Sequence, residues 1–201
     1  MTYNGQVMNI VVISGSNRSG SQSLKIAQRL QEKLNNLQAD TVLLDLHALA
    51  LPLFDDGEHP APDGFVEGLK SADGYVLVSP EWDGMAPAAV INFIYHSKDA
   101  MVHKPVLLCG VSSTRGGAYP VAELKAFANK NRRFVSVPEH LIFREAKTLF
   151  NASTPEPGND ADAYMYERSD YALGFLLAYA DALKTVRDKP GLPLDKYPNG
   201  M

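Results

Sequence analysis

Short runs of consecutive apolar residues alternate along this chain with longer stretches in which apolar residues recur at helical spacing. This alternation is typical of parallel α/β sheets, because a helix must carry the chain back before the next parallel strand can begin. The first run, Val7 to Ile13, is continuous instead of alternating in polarity, which favours a central strand covered on both faces. We therefore expect an α/β fold.

The remaining strands and helices follow from the same alternation. Strands are predicted at 7–13, 41–46, 74–79 and 106–111, and the fifth strand is left open between 134–137 and 140–143. Helices are predicted over residues 24–37, 65–72, 87–98, 120–131 and 163–186. The last helix is expected to face the sheet with one apolar stripe, made of Phe175, Leu176, Tyr179, Leu183 and Val186. One domain over 1–187 is expected, followed at 188–201 by an arm rich in proline and glycine that is extended or disordered.

Composition argues against several classes of partner and location. With 201 residues, 45% of them hydrophobic, the chain can bury a core by itself. Its net charge of −4 and the absence of a basic run give no support for nucleic acid or an anionic membrane as a partner. No apolar stretch approaches the roughly 20 residues of a membrane helix, and the N-terminus lacks a signal-peptide core. A single cysteine, Cys109, excludes an internal disulfide, so we expect a cytoplasmic protein.

Three strand exits carry the residues that indicate function. Parallel sheets bind ligands at the carboxyl ends of their strands, and here the loops after the first, third and fourth strands stand out. The first of them, from Gly15 to Ser23, places hydroxyls and the guanidinium of Arg18 directly before a helix, which suits a phosphate. The loop lacks the GxxxxGK[ST] motif of nucleoside triphosphate sites and the GxGxxG motif of classical dinucleotide sites, so binding of either ligand is disfavoured. Alternatively, Ser21 or Ser23 only caps the helix, which contributes about 1 kcal/mol without any ligand. Arg18 favours the phosphate, since a helix cap needs no guanidinium.

The three loops together resemble one family. GSNRSGS resembles the GSxRxxS phosphate loop of the NADPH-dependent FMN reductase family, which comprises flavodoxin-like quinone, chromate and azo-dye reductases. SPEWDG at 79–84 resembles that family's SPEYNG segment, and VSSTRGG at 111–117 resembles its glycine-bearing loop after the fourth strand. The three motifs occur in order over residues 8–130 and agree on one fold. The resemblance implies a flavodoxin-like doubly wound sheet of five parallel strands in the order 2-1-3-4-5.

The resemblance also implies how FMN is bound. It assigns the FMN phosphate to four side chains and one backbone group, namely Ser16, Arg18, Ser21, Ser23 and the backbone of Gln22. It places the isoalloxazine along Pro80, Glu81, Trp82, Asp83 and Gly84, with its pyrimidine edge near Ser112, Arg115, Gly116 and Gly117. Two residues depart from the family's pattern. Trp82 replaces a tyrosine and loses its hydroxyl, and Asp83 replaces an asparagine and adds a negative charge.

The function implied is that of an NAD(P)H-dependent oxidoreductase. A reduced nicotinamide, NADPH or NADH, would pass hydride to N5 of FMN, and a small acceptor such as a quinone would then be reduced at the same place. No side chain is assigned as a catalytic acid or base, and a homodimer or homotetramer is expected. The alternative is a flavodoxin-type electron carrier or a flavin-binding interaction protein, although such carriers tend to be strongly acidic with a threonine-rich loop. A hydrolase is disfavoured because GxSxG is absent.

Several reactive residue types receive structural interpretations. The histidines have no spacing that groups metal ligands, so no metal site is predicted; they are His47, His59, His96, His103 and His140. Cys109 lies in an apolar strand and is predicted to be a core residue with a raised pKa. The cluster of Lys125, Lys130, Arg132 and Arg133 is interpreted as basic residues in the last turn of a helix, with the 2′-phosphate of NADPH as the alternative partner. The tyrosines of the last helix are assigned to core or interface: Tyr164, Tyr166 and Tyr171.

Overall fold

Five parallel strands form a single sheet in the order β2-β1-β3-β4-β5 in the computed structural model, which describes residues 7–55, 57–128, 130–193 and 196–197. The strands are β1 (Asn9–Ser14), β2 (Asp40–Asp45), β3 (Gly74–Pro80), β4 (Pro105–Val111) and β5 (Val135–Phe143). The helices are α1 (Gln22–Asn36), α2 (Leu46–Leu49), α3 (Phe65–Lys70), α4 (Ala88–His96), α5 (Ala118–Phe127) and α6 (Asp160–Arg187). The predicted doubly wound, flavodoxin-like topology is therefore confirmed.

The sheet is covered on both faces, which explains the continuous apolar runs. Ile10 and Val12 of β1 contribute to a core with α1 and α6, whereas Val11 and Ile13 contribute to a second core with α3, α4 and α5. All seven residues of β3 are buried. Because β1 pairs in parallel with β2 on one side and β3 on the other, the order of the strands reverses beside β1, where such folds bind ligands.

The fifth strand joins the two candidate runs into one. Val106 of β4 pairs with Ser136, but Leu108 pairs with His140, so residues 137–139 stand opposite a single residue of β4. Pro138 lies inside this bulge, where its missing N–H removes no regular ladder bond. Because Pro138 interrupts the apolar pattern, the sequence of this one bulged strand looked like two separate strand candidates.

The helix after β4 ends earlier than predicted. α5 stops at Phe127, so Lys130, Arg132 and Arg133 lie beyond it and the last-turn interpretation is wrong for them. Arg132 instead donates to the carbonyls of Lys98 (2.6 Å) and Tyr95 (3.0 Å) at the end of α4. The dipole argument therefore applies, but to a helix distant in sequence.

The buried face of α6 differs from the predicted stripe. Leu173, Leu176, Leu177 and Ala180 are buried, whereas Phe175 and Val186 are 41% and 43% exposed. Apolar residues occur on more than one face of this helix, so periodicity alone did not fix which face meets the sheet. Among its tyrosines, Tyr166 is buried, as predicted for a core residue, and Tyr164 and Tyr171 are exposed.

Three further expectations concern Cys109, membrane-spanning helices and the C-terminal arm. Cys109 is buried, and burial raises the pKa of its thiol, as predicted. No helix in the part of the chain that the structure describes is long and apolar enough to cross a membrane. The arm predicted at 188–201 lies partly outside the described residues, and its described part follows α6 without a further helix or strand.

Candidate functional site

The loops after β1, β3 and β4 meet around one open cavity of about 440 Å³. Nine of the residues singled out from the sequence line it, namely Ser16, Arg18, Ser21, Gln22, Ser23, Pro80, Glu81, Trp82 and Asp83. The carboxyl ends of neighbouring parallel strands lie at one edge of the sheet, which is why these distant segments meet. The cavity falls within the size range of small-molecule sites.

The loop after β1 leaves its strand in close contact with β3. The N–H of Gly15 donates to the carbonyl of Val78 at 2.8 Å. A Cβ on Gly15 would lie 2.8 Å from that oxygen and 2.5 Å from Cγ2 of Val90, so only glycine fits. Ser16 follows, almost fully buried, and its Oγ accepts from the N–H of Arg18 at 3.2 Å.

The N-terminus of α1 faces the cavity with two backbone donors that no described residue engages. Ser21 is the N-cap, and its Oγ accepts from the N–H of Leu24 at 3.1 Å. The N–H groups of Gln22 and Ser23 have no acceptor within the described ranges. Capping and anion binding therefore do not exclude each other here, because the cap engages one N–H and leaves two for a ligand.

Gln22 adds a buried acceptor atom to this wall. Its Oε1 is buried without a hydrogen-bond partner among the residues that the structure describes. A buried polar atom without a partner is rare in native proteins because it has lost its hydration. The atom is therefore suited to accept a bond from an N–H or O–H group of a ligand.

Arg18 spans the cavity from the β1 exit to the β3 exit. Its guanidinium carbon lies 5.2 Å from the centroid of the Trp82 ring, within the range of a cation–π contact. The side chain is exposed and has no carboxylate or carbonyl acceptor in the described part of the chain. Its planar set of donors is thus available to an anion.

The loop after β3 is a tight turn built on Asp83 and Gly84. Trp82 and Met85 exchange two backbone hydrogen bonds of 3.0 and 2.8 Å, and the two residues between them have φ angles of 50° and 75°. Positive φ at both central positions is the type I′ geometry that Asp-Gly favours. The Asp83 carboxylate is exposed and accepts no hydrogen bond from the described residues, so it does not bind the amides of its own loop. Gly84 serves the turn and does not line the cavity.

The loop after β4 mostly stands behind the cavity wall. Ser112 uses its Oγ to accept from the N–H of Thr114 at 3.2 Å, and the carbonyl of Arg115 accepts from Nε of Arg144 at 2.8 Å. Gly116 and Gly117 lie against the side chain of Glu81. These four sequence-selected residues, Ser112, Arg115, Gly116 and Gly117, are near the site but do not line the cavity.

Sequence reasoning missed three residues of the site. Val111 and Ser113 line the cavity beside the residues selected from the same loop. His47, just after β2, is bonded through Nδ1 to the carbonyl of Asn17 at 3.0 Å and so supports the β1 loop. The signal for His47 was its position directly after a strand, at the same edge of the sheet as the other loops.

A cluster of potential metal ligands lies outside the cavity. Asp55, Glu58 and His59 are exposed, and their ligand atoms lie within 4.8 Å of one another. The backbone N–H and the ring of His59 bond to the carboxylate of Asp55 and hold its pKa below the ordinary value. Exposed acidic groups often lie close together without a bound ion, so the cluster by itself is no argument for a metal.

Comparison with protein families gives a match over most of the chain. Residues 8–148 match the family described as NADPH-dependent FMN reductase, and this span contains all three cavity loops. Among curated proteins, the chain is similar to the NADH:(hydroxy)cinnamate reductase subunit CrdA of Vibrio ruber. The two are 30% identical over 112 residues, which are 52% of this chain and 54% of that protein. The match therefore spans about half the length of this relative.

Solved structures resemble the fold over nearly the whole chain. An oxidoreductase from Corynebacterium diphtheriae matches with a TM-score of 0.63 and 16% identity, covering 91% of this chain and 99% of that one. The flavoenzyme NAD(P)H:(acceptor) oxidoreductase FerB from Paracoccus denitrificans matches with a TM-score of 0.62 and 21% identity, covering 89% and 98%. At such identities the likeness concerns the fold.

Proposed function

The chain belongs to the NADPH-dependent FMN reductase family, and from this premise we propose that its cavity binds FMN for an NAD(P)H-dependent reduction of a small acceptor such as a quinone. The observation that carries the proposal is a set of donor groups at the N-terminus of α1 that have no acceptor among the described residues. They are the exposed guanidinium of Arg18 and the N–H groups of Gln22 and Ser23. Such a set at a helix N-terminus suits a phosphate monoester.

The walls of the cavity fit the two chemically different parts of FMN. Ser16, Ser21 and Ser23 add hydroxyl groups around the phosphate donors, and Oε1 of Gln22 offers an acceptor to a ribityl hydroxyl. Pro80 and Trp82 form the less polar wall, which suits a flat ring. A polar end and an aromatic end in one cavity thus support FMN as the occupant.

The protein's part in the reaction is binding and orientation. When bound, FMN supplies the two-electron chemistry, taking hydride from a nicotinamide and giving it to an acceptor. Arg18 and the α1 amides hold the anionic end, while the turn of Trp82 and Asp83 lies beside the ring end. Of the two carboxylates that line the described cavity, Glu81 is bonded to Gly117 and Asp83 is exposed to solvent. We therefore assign neither carboxylate to acid–base catalysis.

A second candidate function is electron transfer to a protein partner. The relative from Vibrio ruber is named as a subunit of a reductase, which favours a flavoprotein that works within a larger assembly. In this alternative the chain would bind FMN in the same cavity. It would reduce no small acceptor in the absence of its partner.

One experiment separates these possibilities. The purified chain is expected to be yellow, or to quench FMN fluorescence in a titration. It should prefer FMN to FAD, because the donors at the N-terminus of α1 suit a terminal phosphate, whereas the phosphate of FAD continues into an adenosine. It should oxidise NADPH or NADH with benzoquinone and no added protein. A colourless protein that binds no FMN would overturn the proposal, and FMN binding without turnover would favour the electron carrier.

The assembly is part of the same proposal. We expect a homodimer or homotetramer, supported by the exposed aromatic residues Tyr164, Tyr171 and Phe175 on α6. Light scattering coupled to size-exclusion chromatography measures the mass directly. A monomer at all concentrations would contradict this part and leave the FMN assignment intact.

A further inference from the structure

Glu81 connects the exits of β3 and β4. Its N–H donates to the carbonyl of Val111 at 2.9 Å, which extends the pairing of β3 with β4 by one residue. Its Oε2 then accepts from the N–H of Gly117 at 2.5 Å. Gly117 is the N-cap of α5, so the carboxylate lies at the positive end of this helix dipole.

Glycines make room for this contact. A Cβ on Gly116 would lie 2.4 Å from Oε1 of Glu81, and a Cβ on Gly110 would lie 1.9 Å from the carbonyl oxygen of Gly117. The loop can pass this close to β4 and to the carboxylate only where no side chain intervenes. Gly116 is thus explained by its contact with Glu81, and Gly110 by the close approach of the Gly117 carbonyl.

A second carboxylate also links α5 to the loop after β3, but here the carboxylate belongs to α5 and the N–H to the loop. Glu123, on α5, accepts through Oε2 from the N–H of Ala86 at 2.7 Å. Ala86 ends the β3 loop, and Glu81 begins it. The turn that carries Trp82 and Asp83 is therefore bound to α5 at both of its ends.

We propose that Glu81 and Glu123 form a reciprocal clasp that positions the Trp82–Asp83 turn against the cavity and thereby sets the affinity for FMN. This inference rests on the proposed function. Glu81 is then a positioning residue, and the N–H of Gly117 is engaged by Glu81 and is not a donor to the flavin.

The test compares four single variants and the double variant Glu81→Ala/Glu123→Ala. Glu81→Ala and Glu123→Ala each remove one end of the clasp, and Glu81→Gln keeps an oxygen acceptor without the charge. Glu167→Ala is the matched control, because Glu167 is exposed on α6 and has no hydrogen-bond partner in the described residues. FMN dissociation constants come from fluorescence quenching, and amide exchange at Gly117 and Ala86 reports each end of the clasp without any cofactor.

The expected results are specific to a positioning role. Glu81→Ala and Glu123→Ala should each raise the dissociation constant about tenfold, which is about 1.4 kcal/mol. They should also alter the visible spectrum of bound flavin. Glu81→Gln should restore the FMN affinity to within about threefold of wild type. In the double alanine variant the two losses of binding free energy should not add, because both contacts hold one turn. Glu167→Ala should match wild type in every measurement.

Different outcomes contradict different claims. If wild type binds FMN and both alanine variants bind it equally well or more tightly, Glu81 does not position the turn and the clasp is wrong. Faster exchange at Gly117 with an unchanged dissociation constant would likewise reduce the clasp to a stabilising contact. Should Glu81→Ala fail to fold, Glu123→Ala and Glu81→Gln decide the question. Failure of wild type to bind FMN overturns the proposed function itself.

Discussion

The guanidinium of Arg18 lies over the indole ring of Trp82, with 5.2 Å between the guanidinium carbon and the ring centroid. The two residues follow different strands, β1 and β3, that pair side by side in the sheet. Their contact crosses the cavity between its polar wall and its aromatic wall. A cation–π contact at an exposed site contributes only about 0.5–1 kcal/mol, so a phosphate can readily displace it.

Replacement of Arg18 tests its proposed role in FMN binding. Arg18→Ala should weaken FMN binding by roughly 1.5–3 kcal/mol, about 10- to 150-fold, the usual contribution of hydrogen bonds to a charged group. The melting temperature of the apoprotein should fall by no more than about 2–4 °C, since only the contact with Trp82 is lost. Arg18→Lys keeps the charge but not the planar donors, so its FMN affinity should lie between those of wild type and Arg18→Ala. Lower apoprotein stability with unchanged FMN affinity would contradict the phosphate role.

Replacement of Asp83 tests the effect of its charge on the flavin. The exposed carboxylate lines the cavity and accepts no hydrogen bond among the described residues, so its charge is not compensated within its turn. A negative charge disfavours reduction of a nearby flavin, and Asp83→Asn should therefore raise the reduction potential. Charges about 6 Å apart give roughly 15–60 mV for a two-electron couple, depending on solvent screening. Titration against a redox dye measures the shift, and an unchanged potential would leave Asp83 with a role in the turn only.

Because Gly117 approaches β4 closely, alanine should have opposite effects on stability at Gly110, where the contact is made, and at Gly68, which is open. Gly110→Ala should destabilise the protein by about 3 kcal/mol or more, because the new methyl group would overlap a backbone carbonyl 1.9 Å away. Gly68→Ala, in α3, meets nothing within 4 Å and should raise the unfolding free energy by about 0.5–1 kcal/mol. Urea unfolding of both variants checks the pair. Equal effects at the two positions would contradict the packing described for the β4 exit.

A buried lysine predicts a pH-dependent stability. Nζ of Lys104 donates to the carbonyl of Lys70 at 2.6 Å, and burial, with Arg187 nearby, lowers its pKa from 10.5 to about 8. Between these values the unfolded chain binds more protons than the folded protein, so the contribution of Lys104 to the unfolding free energy rises with pH. It should be nearly constant below about pH 7.

The measurement compares wild type with Lys104→Met, because every other titrating group is common to both. The unfolding free energy of wild type minus that of the variant should be flat from pH 6 to 7 and then increase from pH 8 to 10. A difference that stays constant over the whole range would show that Lys104 titrates normally.

Local sequence features pointed to most of the residues that line the cavity, because these residues lie directly after strands. The apolar runs located four strands, and the residues that follow two of these runs, such as Ser16 and Trp82, line the cavity. The same local logic failed where a local pattern was ambiguous. Pro138 hid the continuity of β5, and apolar residues on several faces of α6 hid its buried side.

Periodicity and capping chemistry act over a few residues, so the sequence by itself determined four of the strands and indicated a serine cap at the start of α1. The contact of Arg18 with Trp82 and that of Glu81 with Gly117 join segments far apart in the chain. Such contacts depend on which strands pair and how closely the loops cross, and the order of strands and the packing of the whole sheet set both. Only the tertiary structure therefore decided that Glu81 binds the start of α5, that no described residue donates a hydrogen bond to the Asp83 carboxylate, and that His47 supports the β1 loop.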